Sequence, residues 1–287
     1  MKSICYIAGI GRSGSTILDL LLSQSDELCG TGQVAALHRE LTGLCSCGMA
    51  LSECPYWGAA IDQLGETGLN RWRRVHELIF RERHVLRFVF SSGLCQELSE
   101  ISDEVYELLF TRSNAKVLVD SSKNVSRAIA LARSTTHRFR VLHLIRDSRG
   151  YMNSVNSYRR DRDQTPIYFR SFAEWLFKNT LTSLVLRRYV RTEDFLRIRF
   201  EELMSRPVET LTRIGEWLDV DVDQCLDAAE GAKPLKPGHV FSGNRLLRGD
   251  VIRFERKGSE STELIGRNDR LFWYTYGWLS RFWGYRR

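Results

Sequence analysis

Three groups of residues in this chain have the types and spacing to hold an oxyanion. The first is the loop in AGIGRSGST, residues 8–16. Gly11 and Gly14 let the backbone turn and aim N–H groups at an anion. Ser13, Ser15 and Thr16 carry hydroxyl donors, and Arg12 adds a fork that is always charged. A helix starting at Ser15 would point its partial positive charge at the same place. The second is VLHLIRDSRGYMNSV, where Arg146 leaves a strand end and Ser154 follows on the next helix. A helix folded back over its strand lets both reach one phosphate. The third is VLVDSSKN, which closes a strand with Asp120, Ser121, Ser122 and Lys123. Each alone has a plain structural reading: a strand–helix turn, an Arg146–Asp147 ion pair, a surface serine. Three strands delivering such groups at their carboxyl ends is a more specific signal than any one motif.

The loop nearly spells that of a nucleoside triphosphatase, with Gly9, four residues, Gly14 and then Thr16 in place. The lysine that should follow Gly14 is Ser15, and the cation sits earlier, at Arg12. A triphosphatase needs that lysine on the β- and γ-phosphates and a Ser/Thr on magnesium. A P-loop kinase or NTPase is thus the rival reading, and the absent lysine speaks against it.

The elements that must position these groups follow from the pattern. Apolar runs at 3–8, 116–119 and 140–145 read as strands buried on both faces. FLRIRF at 195–200 alternates and reads as an edge or half-exposed strand. Helical patterns follow each at 15–25, 125–133, 149–158 and 207–218. Strands alternating with helices imply an α/β fold with a parallel sheet flanked by helices. Long helical patterns at 70–111 and 171–191 read as α-helical insertions and plausible walls of an acceptor pocket. The whole reads as a single domain over 1–287, with a helical insertion about 57–113 and a helical C-terminal segment about 260–287. That last stretch is aromatic and is expected to pack on the core, an amphipathic membrane-surface helix being the alternative.

The net charge of +7 over 287 residues suits an anionic partner. The basic residues are scattered, which favours discrete phosphate sites over a nucleic-acid stripe. No apolar run reaches the ~18 residues of a membrane helix. A strand beginning near residue 3 leaves no room for a signal peptide ahead of it, so a cytoplasmic protein is expected.

Taken with LCSCGMALSECPYW, VDSSKN, RFEELMSRPVETLTRIGEWLDV and HVFSGNRL, the pairing of GIGRSGST with a strand ending in RD and a serine eight residues after its arginine resembles the sulfotransferases that use 3′-phosphoadenosine-5′-phosphosulfate (PAPS), in particular bacterial members. The resemblance covers most of the chain. It implies a P-loop-like α/β fold, PAPS as donor, PAP as product, a hydroxyl or amine acceptor on a small molecule, glycan or lipid, and no metal in the transfer. Carried over, it gives Gly11, Arg12, Ser13, Gly14, Ser15 and Thr16 to the 5′-phosphosulfate and Arg146 and Ser154 to the 3′-phosphate. Arg12 takes the place of a catalytic cation, and Lys123 that of a second basic group near the sulfuryl. Ser242, Asn244 and Arg245 fall on a late loop that closes over the donor.

Two features depart from the pattern. Where many members carry Gly-Glu as general base after the first helix, this chain has Gln33, and an amide cannot take a proton. His38 or Glu40 could substitute, Lys123 or His239 could do the work, or the chain is a donor-binding pseudoenzyme. On the sequence, Gln33→Glu is expected to leave activity unchanged or raise it. The second is the cluster Cys45, Cys47 and Cys54, with His38 upstream. Zinc, a disulfide and local packing near Trp57 are the three readings. The Cys-x-Cys step is tighter than the usual ligand spacing and a reducing compartment disfavours a disulfide, so packing is expected.

Overall fold

The computed structural model describes residues 2–39, 41, 43–79, 85–231, 234–236, 238–242, 254 and 277–285. Five strands, β1 (Ser3–Gly9), β2 (Leu28–Gly32), β3 (Val117–Lys123), β4 (Arg138–Ile145) and β5 (Phe195–Arg199), form one sheet in the order β2-β3-β1-β4-β5. Every pairing is parallel, with Ser3 opposite Val117 on one side and Arg138 on the other. The apolar run of β1 is buried throughout because both of its faces are covered. Ile4, Tyr6 and Ala8 enter one core with the helical insertion, while Cys5 and Ile7 enter the other. That is the two-residue period of a strand.

The strand–helix alternation expected from the sequence is present. Helix α1 (Ser15–Leu22) follows β1, α5 (Val125–Ser134) follows β3, α6 (Ser148–Arg160) follows β4, and α9 (Phe200–Ser205) and α10 (Pro207–Leu218) follow β5, with α11 (Asp223–Ala229) beyond. The insertion comprises α2 (Gly58–Ile79), α3 (Val85–Phe90) and α4 (Ser92–Ser113), and α2 starts well before the periodic stretch at 70. The backbone of α2 breaks at Gly65, φ 60° and ψ −175°, which is why the helical period there is hard to follow. The second insertion is α7 (Tyr168–Leu181), continued through a π-turn (Thr182–Leu186) into α8 (Arg187–Tyr189). β5 is a half-exposed edge strand, as its alternation suggests.

β2 has no counterpart in the sequence reading. Its LCGTG is short and glycine-rich, with little β-propensity. The reason lies in packing. A Cβ on Gly30 would stand 2.2 Å from Asp19 Oδ1 of α1, so the helix lies directly on the strand. Thr31 Oγ1 donates to Val119 O (2.8 Å) and fixes the edge.

A buried polar network pins the insertion to the sheet. Arg127 of α5 is fully buried. Its Nε donates to Asp120 Oδ2 (3.3 Å) and its Nη2 to Tyr106 OH (2.8 Å). Its Nη1 meets Ser102 Oγ and His76 Nε2. Tyr106 OH donates in turn to Asp120 Oδ2 (2.6 Å). Asp120 is therefore scaffold, holding β3, α4 and α5 together. Among the described C-terminal residues, Trp283 and Tyr285 pack with Ile10, Ile145 and Trp175, while Trp278 and Phe282 face outward. No helix among the described residues is long and apolar enough to cross a membrane.

Candidate functional site

The loop after β1 is shaped by two close approaches. Gly9, at φ 139°, would place a Cβ 2.4 Å from Leu144 O, and Gly14, at φ 89°, would drive one into the Phe200 ring at 2.3 Å. A side chain at either position would push the loop off the sheet. Between them Arg12 adopts the left-handed region at φ 66°, an uncommon state for a non-glycine residue. Its guanidinium reaches across the strand ends, where Nε donates to Ser154 Oγ of α6 (2.9 Å) and the group lies over the Tyr158 ring at 4.8 Å. Arg146 closes the set from the other side, its Nη1 donating to Arg12 O (3.0 Å) with its guanidinium 4.7 Å from the Phe200 ring. Arg12, Arg146 and Ser154, read from two separate motifs, thus form one cluster.

Asp147 does not neutralise this cluster. It caps α6, Oδ1 accepting from Arg149 N (2.7 Å), and pairs with Arg149 Nη2 (2.9 Å). Burial disfavours the charge of Arg146, and the neighbouring Arg12 adds repulsion against the pull of Glu201 and Asp147. Two buried donors here have no partner among the described residues: Ser13 Oγ and Arg146 Nε. An unpaired buried donor is costly unless a ligand completes it. These donors and the paired guanidiniums suit an anion of two or more charges.

Lys123 stands at the end of β3 in the left-handed region, φ 64°, with Nζ donating to Ser121 O (2.7 Å). Burial pulls its pKa down to about 8, against the opposing attraction of Asp19 and Asp120. Burial likewise pushes Asp19 up to about 7, although a hydrogen bond from Ser121 and the Gly32 amide favour its carboxylate. Lys123 at the end of β3 and Asp19 within α1 are thus each shifted toward neutrality by burial.

Gln33 follows β2. Its Nε2 donates to Ser242 O, and its backbone N donates to Phe241 O (3.2 Å). Gly32, at φ 72°, makes room for this crossing, since a Cβ there would sit 2.3 Å from Phe241 O. The late chain therefore threads past the end of β2, and the amide of Gln33 holds it. A glutamate would place an oxygen against the Ser242 carbonyl. Gln33→Glu would thus cost the late chain this clamp, a structural role that the sequence does not show.

The described backbone places His38 in a short 3-10 turn (Val34–Arg39) beside this crossing. Glu40, Asn244 and Arg245 lie outside the described residues. His239 is not at the loop; its Nδ1 is 3.3 Å from Cys54 Sγ. Sequence reasoning missed Tyr158, Phe200 and Gly150. Tyr158 was findable, standing four residues after Ser154 on one helix face. Gly150 leaves space for Arg146, whose Nε would be 3.0 Å from a Cβ there. Only the fold reveals that.

Fold and site together define a P-loop-like α/β protein whose glycine-rich loop after β1 carries an arginine. The sequence profile of the sulfotransferase family matches residues 5–224, and the chain belongs to that family. Among solved structures it is similar to the sulfotransferase domain of an olefin synthase from Synechococcus PCC 7002, at 20% identity and a TM-score of 0.55, covering 100% of this chain and 97% of that one. It also matches a sulfotransferase domain from the curacin biosynthetic pathway, at 17% identity and a TM-score of 0.49, covering 92% and 83%. A sulfotransferase from Mycobacterium avium matches at 15% identity and 0.47, covering 78% and 66%. No curated protein matches the chain.

Proposed function

We propose that the protein transfers a sulfuryl group from PAPS to a hydroxyl or amine acceptor. The observation that carries this reading is the single cluster formed by Arg12, Arg146 and Ser154 beside the orphaned donors Ser13 Oγ and Arg146 Nε. A donor with phosphate groups at both its 5′ and 3′ positions needs two anion sites joined at a fixed distance. The loop 11–16 supplies one, and Arg146 with Ser154 the other.

In this reading the acceptor oxygen or nitrogen attacks sulfur in line. The bond from sulfur to the bridging oxygen breaks, its electron pair stays on the 5′-phosphate, and the acceptor proton leaves to a base or water. Like phosphoryl transfer, the step is governed by positioning and electrostatics. Arg12 offsets the charge growing on the bridging oxygen, and protonated Lys123 offsets that on the sulfuryl group. The acceptor belongs to a small molecule, glycan or lipid. The test is incubation of the purified chain with radiolabelled PAPS and a panel of hydroxyl and amine acceptors, without added magnesium. Transfer of label is expected. Magnesium-dependent ATP turnover with no consumption of PAPS would overturn the reading in favour of a kinase or NTPase.

A further inference from the structure

The described chain holds a second constellation, away from the anion loop. Cys45, Cys47, Cys54 and His239 bring one ligand atom each within 4.8 Å of one another. Cys54 Sγ is 3.6 Å from Cys45 Sγ, 3.8 Å from Cys47 Sγ and 3.3 Å from His239 Nδ1, and Cys45 Sγ is 3.9 Å from the same nitrogen. Bonds of about 2.3 Å to sulfur and 2.0–2.1 Å to nitrogen in a tetrahedron give edges of about 3.8 Å between sulfurs and about 3.6 Å between sulfur and nitrogen. The observed separations straddle these values. They are far too long for a covalent sulfur–sulfur bond, and all three cysteines are free thiols. We propose that Cys45, Cys47, Cys54 and Nδ1 of His239 form a closed structural zinc site that fastens the late chain to the 45–54 loop.

The fold explains why the tight Cys-x-Cys step works. Leu44 bridges Ala50, Cys45 N donates to Met49 O (2.9 Å) and Leu51 N to Gly43 O (2.8 Å), so the segment is a small hairpin. The turn is tight, Gly48 N donating to Cys45 O (2.9 Å), and it leaves Cys47 Sγ 3.8 Å from Cys54 Sγ. Gly48 makes the turn at φ 88°. His239 arrives from far along the chain and is held in place: Trp57 Nε1 donates to His239 O (2.7 Å), and Tyr56 stacks on its ring at 5.1 Å. Ser46 N donates to Val240 O (2.9 Å), and Val240 N donates to Ser46 Oγ (2.9 Å). Three thiolates and an imidazole in a tetrahedron suit zinc, and four protein ligands leave no open position, which marks a structural rather than a catalytic ion. Binding drives three thiol protons into solvent and leaves the His239 proton on Nε2, so this histidine cannot also serve as a base.

The consequence reaches the end of β2. Two residues after His239 lies Phe241, which bridges both Cys45 and Gly32, and next to it Ser242, held by Gln33. The zinc would fix the late chain where it passes the end of β2 and take no part in transfer.

The test is metal analysis of the full chain purified under reducing conditions without an affinity metal or chelator. One equivalent of zinc per chain is expected, falling to near zero in Cys47→Ser and His239→Ala. Cobalt exchanged into wild-type protein should give the visible bands of a tetrahedral thiolate site. Should the variants fail to fold, stripping wild-type protein with a chelator is expected to lower the melting temperature, with zinc and not magnesium restoring it. Metal-free protein that takes up no zinc, keeps its melting temperature with chelator and reacts at all three thiols regardless of added zinc would overturn the proposal. So would a Cys47–Cys54 disulfide in protein prepared this way. None of these readouts depends on sulfuryl transfer.

Discussion

Arg12 is held in an unfavourable backbone state, at φ 66°, with its guanidinium bonded to Ser154 and stacked on Tyr158. A group fixed in this way is preorganised for charge that appears only in the transition state. Arg12→Ala should lower turnover by roughly 10²–10³-fold while changing PAP affinity far less. Single-turnover rates beside calorimetry measure the two, and equal losses would make Arg12 a binding residue only. In the proposed reaction the pH dependence falls to Lys123. Its cation persists below the depressed pKa of about 8, so kcat/KM should fall as pH rises through that value. Lys123→Met should remove this limb from the pH profile. A rate that instead rose through pH 8 would make Lys123 a base. At Gln33 the structure predicts that Gln33→Glu destabilises by about 1–3 kcal/mol, because the Ser242 carbonyl loses its donor. Thermal melting would read this, and an unchanged melting temperature would contradict it. The cations and Ser154 were legible because residue type and spacing encode them. The task of Gln33 was not, since its partner lies 209 residues away.

At the scale of elements, the parallel sheet and its order of use are largely written in the sequence. Apolar runs such as those of β1 and β4 mark strands covered on both faces, and the helix Pro207–Leu218 falls where its periodicity places it. β2 escaped because packing against α1 demanded glycine at Gly30, which erases the strand signature. The junction of β3 with the insertion was equally hidden. Asp120 reads as a site residue beside Ser121 and Lys123, yet its carboxylate is spent on Tyr106 and Arg127. Removing one member of a buried ion pair strands the other charge, at about 3–5 kcal/mol. Arg127→Met should cost about that much in urea unfolding, whereas a change below about 1 kcal/mol would show the network to be dispensable.

Across the whole molecule, the late chain ties the parts together. Residues 239–242 run from the cysteine hairpin past Gly32 to Gln33, so the hairpin and the sheet edge at the end of β2 share one strap. No local pattern announces such an arrangement, because contacts between residues 45 and 241 depend on the complete fold. The proposed two-part anion site depends on that fold as well: β1 brings Arg12, while β4 and α6 bring Arg146 and Ser154. On the proposed reading, what sets it apart is recognition of a nucleotide by two separate phosphates. The most direct test is calorimetry comparing PAP with adenosine 5′-phosphate, which differs from it only by the 3′-phosphate. The account predicts that PAP binds about 10–100-fold more tightly, the worth of charged hydrogen bonds of about 1.5–3 kcal/mol, and that Arg146→Ala erases the difference. Equal affinity for the two nucleotides, or binding of magnesium-ATP with none of PAP, would contradict it.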